Sequence, residues 1–387
     1  MQKISQAFAW SFRSLAVGRN PTSRHDGSPF SVDDLVVRAT PGGVIPHAAL
    51  LQIRGDWEGL VCCFRLRAPN QDNFCWACDA SLSPGLLNFT DFSRDAPHRN
   101  TCLCHIDYLE RCAAEGQQPS NLFRCPGTQL KHLIVDSMHA ADLGTFADAV
   151  GSLFYMEISN KAWYPMQAQG LVALNVAMNA YYARNKDKNL TRATPVSLTQ
   201  ILGKDPKYPF MKAKAAPVRH LAEFCLELAY KHLYGVEGGR PPFAFTARSP
   251  MHGKTAQHLE LMVNVFRGME RYCRSLHSTP FDATMCTDSM LLYLSSLAAL
   301  NKLWRIGRDP TEASRLPWQV RPKCHLMQHL VLDHMKNYGN PSLFWCYRDE
   351  DFVGAVKRLC AKTKNPATLE SRVLLKLVIL AALSVYL

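Results

Sequence analysis

Residues 132–154 read HLIVDSMHAADLGTFADAVGSLF. The first four residues form an apolar run short enough for a β-strand, and the run stops at Asp136. Beyond it, apolar residues recur at three- and four-residue steps from Ala140 to Met156, which is typical of a helix packed on a core. This stretch therefore predicts a short strand that ends in an aspartate and leads into a helix.

A similar pattern occurs upstream. Ala48–Ile53 reads AALLQI, and this run stops at Gly55-Asp56. Val61–Leu66 is a second apolar run of strand length. Two strands that each end in an aspartate are the chemically suggestive feature of this part of the chain.

From Met166 onward the spacing is mostly helical. The predicted helices are Gln167–Arg184, Ala216–Tyr234, Thr255–Leu276, Ser289–Arg305, Cys324–Lys336 and Asp351–Lys362. The pattern predicts an α/β fold with a large all-α insertion. We predict a flexible leader at 1–45, a first α/β part at 46–160 with a Cys/His-rich segment at 74–112, a helical insertion at 161–317, and a C-terminal return at 318–387.

The composition indicates an intracellular globular protein with a polyanionic partner. The 387 residues are 47% apolar and 20% charged, with a formal net charge of +12. Nucleic acid is the commonest partner of so basic a chain, and a surface that serves only solubility is the alternative. The apolar tail Val373–Leu387 is shorter than the roughly 20 residues of a spanning helix, so we expect no membrane association.

Several enzyme classes are excluded by their missing motifs. The sequence contains no phosphate-binding G-x-x-x-x-G-K-[ST] loop, no dinucleotide-binding fingerprint and no G-x-S-x-G nucleophile elbow. Nucleotide hydrolysis, Rossmann-type oxidoreduction and serine hydrolysis are therefore not expected.

The acids at the strand ends are candidate metal ligands. Sheet edges hold carboxylates close together, and Mg²⁺ or Mn²⁺ requires oxygen ligands. Two such ions can clamp the attacking and leaving oxygens of a phosphodiester. The candidates are Asp56 and Asp136, with a third acid in YRDEDFVGAVKRL at Asp349, Glu350 or Asp351. For any one of them, a turn or N-cap role is the alternative.

The order of the motifs carries a family resemblance. VDSMH at 135–139 follows an upstream Asp56 and a C-x-x-C at 75–78. Downstream come Pro322-Lys323-Cys324-His325-Leu326, His329-Leu330, Asn340-Pro341, Trp345, Tyr347, Glu350, Gly354 and Lys357. Over roughly residues 48 to 375, this order resembles CACTA-type (En/Spm-like) transposases and their relatives in the Kyakuja–Dileera–Zisupton group.

The resemblance implies a ribonuclease-H-like core. That core would have a zinc-binding insertion between the first two acids and a helical insertion before the last catalytic helix. The resemblance also implies Asp56, Asp136 and Glu350 as catalytic acids, with Asp349 or Asp351 able to replace Glu350. DNA would be the partner, and the protein would act in the nucleus.

The Cys/His-rich segment contains two candidate ligand pairs, a C-x-x-C and a C-x-x-H. Together they can form a tetrahedral Zn²⁺ site that stabilises the fold. The predicted ligands are Cys75, Cys78, Cys102 and His105, with Cys104 and His98 as alternatives in the second pair. Reduced core cysteines are one alternative, and a redox pair is another, although a redox C-x-x-C should open a helix.

Three histidines lie near these motifs. His139 follows Asp136 by three residues and can support the acids through a metal-bound water or a phosphate, with a backbone-satisfied helix start as the alternative. His325 and His329 share a helix face, being four residues apart. Such a pair can ligate metal, but no HExxH-type glutamate lies between them, so we predict packing or phosphate contact.

Basic residues interleaved with aromatic ones suit a DNA backbone with some base stacking. One such run surrounds Tyr208 and Phe210, and other basic residues flank the late motifs. A solvated loop is the alternative. The predicted DNA contacts are Lys204, Lys207, Lys212, Lys214, Arg219, Lys323, Arg348 and Lys357.

Three hypotheses follow from the sequence. The first is a transposase-like enzyme in which three carboxylates hold two divalent ions for phosphodiester cleavage and strand transfer. The second is a catalytically inactive or domesticated relative that keeps the fold and binds DNA. The third is a zinc-stabilised helical interaction protein, for which the three acids lie far apart. A homo-oligomer is compatible with each.

Overall fold

The computed structural model describes residues 2–31, 34, 40–48, 50–161, 163–193, 195–202, 208–234, 255–306 and 316–362. The chain divides into two compact units, Met1–Phe344 and Trp345–Leu387. The predictions made for Lys204, Lys207 and the tail Val373–Leu387 lie outside the described residues.

The start of the chain is more ordered than the predicted leader. Helix α1 (Gln2–Val17) packs against a 3₁₀ turn at Asn121–Arg124. Within it Ala9 is buried, and Trp10 Nε1 donates to the carbonyl oxygen of Ser23 at 2.8 Å. An amphipathic helix that covers part of the first unit therefore occupies the leader's first third.

The prediction of a strand at Ala48–Ile53 is wrong except at Ile53, because the strand in this part of the chain begins at Ile53 and ends at Gly55. It forms one small parallel sheet with the strand that precedes Asp136. Strand β1 (Ile53–Gly55) pairs with β2 (Leu133–Val135), and the last residues of the two strands, Gly55 and Val135, lie opposite each other. All residues of β2 are buried, as expected for an apolar strand covered on both faces. The residue after each strand is an aspartate, so both aspartates follow the same edge of the sheet.

The prediction of a strand at Val61–Leu66 is wrong, because this run belongs to helix α2 (Trp57–Phe64). Asp56 is the N-cap of α2, and its Oδ1 accepts the N–H of Gly59 at 2.7 Å. The cap and the helical spacing of the buried residues outweigh the strand-like apolar run. Those buried residues are Trp57, Leu60 and Phe64.

The long helices of the predicted insertion are confirmed. Helix α3 (His105–Ala114) closes the Cys/His-rich segment, and the insertion follows β2 and α4 (Phe146–Ile158). The predicted helix at Ala216–Tyr234 is divided in two, with Leu221 between the parts. The helices are α5 (Gln167–Arg184), α6 (Leu198–Leu202), α7 (Ala215–His220), α8 (Ala222–Tyr234), α9 (Ala256–Ser275) and α10 (Ala283–Arg305).

Helices α9 and α10 pack closely together and hold the segment that follows β2. A Cβ on Gly268 of α9 would lie 2.6 Å from the backbone N of Tyr293 on α10, so only glycine permits this approach. Tyr293 donates its hydroxyl to the carbonyl oxygen of Thr145 at 2.7 Å, and the Tyr272 hydroxyl lies 2.9 Å from Ser137 Oγ. The insertion thus fixes both ends of the segment after β2.

Helix α10 is long and apolar enough to cross a membrane by length and composition, but 56% of its most apolar window is buried inside the fold. Among the described helices, α10 packs most extensively against α9. Helix α10 thus packs within the first unit over more than half of this window.

Within the described residues, two π-helical segments join other elements of the first unit. The first, Met138–Thr145, joins β2 to α4, and the second, Leu330–His334, joins α11 (Pro322–His329) to α12 (Met335–Tyr338). Such segments are frequent at functional sites. The prediction of a late helix at Cys324–Lys336 is confirmed in outline. In the second unit, the described residues form α13 (Tyr347–Lys362).

Candidate functional site

Two pairs of ligand residues from distant parts of the chain meet in the core. Cys75 and Cys78 lie in the loop after α2, and His325 and His329 lie on α11. The Sγ of Cys78 lies 3.2 Å from His325 Nε2 and 3.4 Å from His329 Nε2. The Sγ of Cys75 lies 3.5 Å from His329 Nε2, and the two Nε2 atoms are 3.1 Å apart. All four residues are buried.

These distances match the edges of a zinc tetrahedron. Zn–S bonds of about 2.3 Å and Zn–N bonds of about 2.0 Å at tetrahedral angles give S···N edges of about 3.5 Å and an N···N edge of about 3.3 Å. The measured S···N distances are 3.2, 3.4 and 3.5 Å, and the N···N distance is 3.1 Å. Converging lone pairs in a buried space favour a cation between them. The cluster could hold a metal such as zinc.

The loop presents its two thiols to α11 through a local turn. The backbone N–H of Ala77 donates to the Sγ of Cys75 at 3.4 Å, which bends the chain back between the two cysteines. The ring of Phe74 meets the ring of His325 edge-on at a centroid distance of 5.5 Å. Trp76 is buried as well, so the thiols lie in a water-poor environment.

Helix α11 presents its two imidazoles because of where it begins. Pro322 occupies its first turn, a favoured position for proline. Just before it, Arg321 donates from Nε and Nη2 to the buried carboxylate of Asp148 on α4, each at 2.7 Å. His325 and His329 then follow one helical turn apart and face the same side.

An acid outside the cluster orients one of the histidines. Asp333, in the second π-helical segment, has its Oδ2 2.7 Å from His329 Nδ1. Arg99 donates to the same carboxylate from Nη1 at 2.8 Å and from Nη2 at 2.6 Å. Burial alone would raise the pKa of Asp333, but the hydrogen bonds from Arg99 and His329 hold it well below its ordinary value. Carboxylate–histidine pairs of this kind are the usual outer shell of protein metal sites.

The second histidine is held neutral. Burial is the main cause that lowers the pKa of His325 well below its ordinary value, and the neighbouring His329 and His98 lower it further. The rings of His98 and His325 lie 4.8 Å apart. A neutral imidazole offers a lone pair at Nε2, which is what a metal ligand needs.

The predicted second ligand pair is not the one that faces the C-x-x-C. His105 Nδ1 accepts the N–H of Leu130 at 3.3 Å, and Cys104 caps α3. Cys102 is exposed and groups instead with His329 and Asp333 on the outer side of the cluster. The sequence signal that could have found the true partners was the pair of histidines four residues apart on α11.

The two strand-end acids lie on neighbouring strands but in different environments. Asp136 is 2% exposed; its Oδ1 accepts the N–H of Met138 at 3.1 Å, and its Oδ2 accepts that of His139 at 3.2 Å. The Nδ1 of His139 lies 2.5 Å from the same Oδ2. Asp56 is exposed and caps α2. Both acids therefore also fill the helix-start role that the sequence left open.

A lysine from α11 reaches the acidic pair. The Nζ of Lys323 donates to the carbonyl oxygen of His139 at 2.9 Å. Burial, followed by the charge of Arg321, lowers the pKa of Lys323, whereas Asp148, Asp56 and Asp136 all favour its charged form. A cavity of about 10 Å³ lies beside it, lined in part by Asp136 and His139, and this is room for about one water.

The third predicted acid belongs to the second unit. Asp349, Glu350 and Asp351 lie in the first turns of α13 and are exposed, as are Arg348 and Lys357. The convergence of Glu350 with the strand-end acids stays a prediction.

The predicted basic run is described only in part. Lys212 and Lys214 are exposed and precede α7, whereas Arg219 on α7 is half-buried. The Tyr208 hydroxyl accepts a hydrogen bond from Arg321, and the backbone of Phe210 lies close to Gly151. The Tyr208 hydroxyl is thus engaged within the fold.

The arrangement offers two kinds of chemistry. The Cys/His cluster can hold a metal with four protein ligands, a closed site that stabilises a fold. The acidic pair, with His139 and Lys323 beside it, offers oxygen ligands and a positive charge at a sheet edge. No protein-family model, no curated protein and no solved structure matches the chain.

Proposed function

We propose that the chain is a transposase-like, DNA-binding protein with a two-metal site for phosphodiester cleavage and a structural zinc. The observation that carries the proposal is the parallel pairing of β1 and β2, in which Gly55 lies opposite Val135. Asp56 and Asp136 are the next residues after these two strand ends. Glu350 is the third acid by the resemblance. When bound, Mg²⁺ or Mn²⁺ would polarise the attacking and leaving oxygens of the phosphodiester.

Asp136 and the nearby lysines have distinct roles in this proposal. Asp136 supplies carboxylate oxygens whose orientation is fixed by the backbone N–H groups of Met138 and His139. Lys323 contacts the non-bridging oxygens of the scissile phosphate, for which its position beside Asp136 and Asp56 is suitable. The basic residues Lys212 and Lys214 bind the phosphate backbone of flanking DNA.

Zinc has a structural task in the proposal. The four-ligand cluster connects the loop after α2 with α11, and α11 continues into the segment whose His334 Nδ1 accepts the N–H of Val135 at 3.1 Å. Metal binding therefore braces the strand that precedes Asp136. Four protein ligands leave zinc no open position, so its effect on cleavage is through this support.

The proposal is tested by cleavage of supercoiled plasmid DNA with Mn²⁺. We expect nicking or linearisation by the wild type and loss of it in Asp136→Asn, which keeps the side-chain shape. Asp288→Asn, at an exposed carboxylate paired with Arg94, is the control and should cleave normally. Thermal melts of all three proteins verify that they fold. Equal cleavage by wild type and Asp136→Asn, or none by either, removes the enzyme proposal.

One observation favours a second candidate, a DNA-binding relative that does not cut. Both strand-end acids accept helix-start hydrogen bonds, Asp56 from Gly59 and Asp136 from Met138 and His139. In a protein without catalytic activity, these acids would serve only to accept the helix-start hydrogen bonds. Gel-shift affinity for DNA without cleavage supports this candidate, and loss of DNA affinity in Lys212→Ala with Lys214→Ala would support either. Absence of DNA binding contradicts both.

A further inference from the structure

The buried Cys/His cluster is closed to solvent. No more than 2% of any of its four residues is exposed. A hydrated cation exchanges its waters for protein ligands one at a time, so the first ligand it meets must lie at the surface. None of the four can serve in that way while the fold is closed. A metal that enters the folded protein therefore needs a ligand outside the cluster to begin loading.

A second group of ligand atoms lies on the solvent side of the cluster. Cys102, His329 and Asp333 each offer an atom, and these atoms lie within 4.8 Å of one another. Cys102 is exposed, and the Asp333 side chain retains 32% of its exposure. His329 belongs to both groups, so the two sets of ligands adjoin.

We infer that Cys102 and Asp333 form a surface site that captures a divalent cation such as Zn²⁺ and passes it to the buried cluster. This inference rests on the zinc centre proposed above. A thiolate with a carboxylate is a ligand pair that suits zinc. Arg99 holds the Asp333 carboxylate in place through two hydrogen bonds.

The transfer balances without any redox change. On capture, the S–H bond of Cys102 is replaced by an S–metal bond, and the proton leaves to solvent. On transfer, the metal gives up its bonds to Cys102 and Asp333 and its remaining waters, and it forms bonds to Cys75, Cys78, His325 and His329. The thiol protons of Cys75 and Cys78 leave to solvent, Cys102 takes up a proton again, and the Asp333 carboxylate returns to Arg99 and His329. The cation remains divalent throughout. The tetrahedron needs no fifth ligand, which is why Cys102 acts in loading and not in holding the metal.

The chain offers a matched control two residues away. Cys104 is also exposed, but its Sγ accepts the N–H of Asp107 as the N-cap of α3. Serine is a preferred N-cap residue, so Cys104→Ser keeps this helix start. Both Cys102→Ser and Cys104→Ser remove one exposed thiol, and only the first removes a member of the outer group.

The test is the loading rate of the full-length protein after its metal is stripped. Zn²⁺ is added as a complex with a chromophoric chelator, and its transfer is followed by stopped-flow absorbance. For Cys102→Ser we expect about tenfold slower loading, equal to about 1.4 kcal/mol of barrier, with unchanged final stoichiometry and equilibrium affinity. Cys104→Ser should load at the wild-type rate. Cys102→Ala is a second variant, with the same expectation.

Each result has a definite meaning. Wild-type loading rates in Cys102→Ser and Cys102→Ala overturn the inference. So does a loss of equilibrium affinity in these variants, because Cys102 would then be a resident ligand, and so does equal slowing in Cys104→Ser. A wild type that binds no zinc at all overturns the proposed centre itself, which separates that failure from a failure of the loading site alone.

Discussion

Removing the metal, or one of its ligands, should destabilise the whole first unit. Zinc in the Cys/His cluster would connect Cys78 to His325 across 247 residues of chain. A cross-link over so long a loop restricts the unfolded chain more than a local one does. For a covalent cross-link, the chain-entropy relation gives about 5 kcal/mol at 25 °C for a loop of this length. Strain and residual structure in the unfolded state lower such figures, so we expect about 3–5 kcal/mol.

Mass action gives a figure of the same size. A ligand that binds only the folded state stabilises it by about 2.7 kcal/mol at a hundred times its dissociation constant, and by about 4.1 kcal/mol at a thousand times. Cys78→Ser and His325→Ala break the same connection from opposite sides, so both variants should lose this metal-dependent stability, and the double variant should lose no more of it.

The assay is urea unfolding with and without a chelator, followed by tryptophan fluorescence. Trp76 lies between the two cysteines and is buried, so it reports on the loop itself. Metal content is measured in parallel, and we expect one zinc per wild-type chain and none in Cys78→Ser. Cys225→Ala, which removes a buried thiol on α8, is the control: it should unfold more easily but keep its chelator dependence.

The reasoning is refuted if the chelator leaves the wild-type free energy of unfolding unchanged. It is also refuted if Cys78→Ser retains a full equivalent of zinc, since the ligand set would then be different. If Cys102→Ser or His105→Ala lost the equilibrium metal and Cys78→Ser did not, the pairing inferred from the local sequence would be restored.

Three further predictions concern the surroundings of the site. Asp333→Asn should weaken zinc binding about 10–100-fold in a competition titration, because the histidine it orients loses its carboxylate partner; unchanged affinity contradicts this role. Burial is the main cause that lowers the pKa of His334 to about 3, and its Nδ1 accepts the backbone N–H of Val135. The imidazole of His334 therefore stays unprotonated in the folded protein. In the unfolded chain it takes up a proton below about pH 6.5. In chelator, the free energy of unfolding should therefore fall by up to about 2 kcal/mol from pH 7 to pH 5, and His334→Gln should flatten this slope; equal slopes contradict the assignment. Gly151→Ala should destabilise the protein by about 1–3 kcal/mol in urea unfolding, because the added Cβ would lie 2.3 Å from the backbone Cα of Phe210. An unfolding midpoint equal to that of the wild type would contradict this close contact between Gly151 and Phe210.

Local patterns predicted the helices well and the strands only in part. The helices at Gln167–Arg184 and Thr255–Leu276 follow apolar spacing, which needs no knowledge of distant residues. The run at Val61–Leu66 was misassigned because an apolar run of six residues fits a strand and a helix equally well. The carboxylate cap at Asp56 favours the helix, and this N-cap role is the alternative to metal binding that the sequence leaves open for the aspartate.

The ligand residues of the Cys/His cluster were visible in the sequence, but their partnership was not. Cys75 and Cys78 are a recognisable pair because their spacing is local, and His325 and His329 share a helix face for the same reason. Cys102 and His105 were an equally suitable partner pair on spacing alone. Asp333 and Arg99 gave no signal at all, since an outer-shell contact has no fixed spacing in sequence.

By itself, the sequence determined what depends on neighbours along the chain: two strands that end in aspartate, the helical periods, the thiol pair and the histidine pair. Tertiary structure alone decided which pairs meet and which acids share a sheet edge. The physical reason is that residues 247 apart approach each other only through the packing of everything between them. Here the parallel register of β1 and β2 and the anchoring of α11 by Arg321 and Asp148 made those choices.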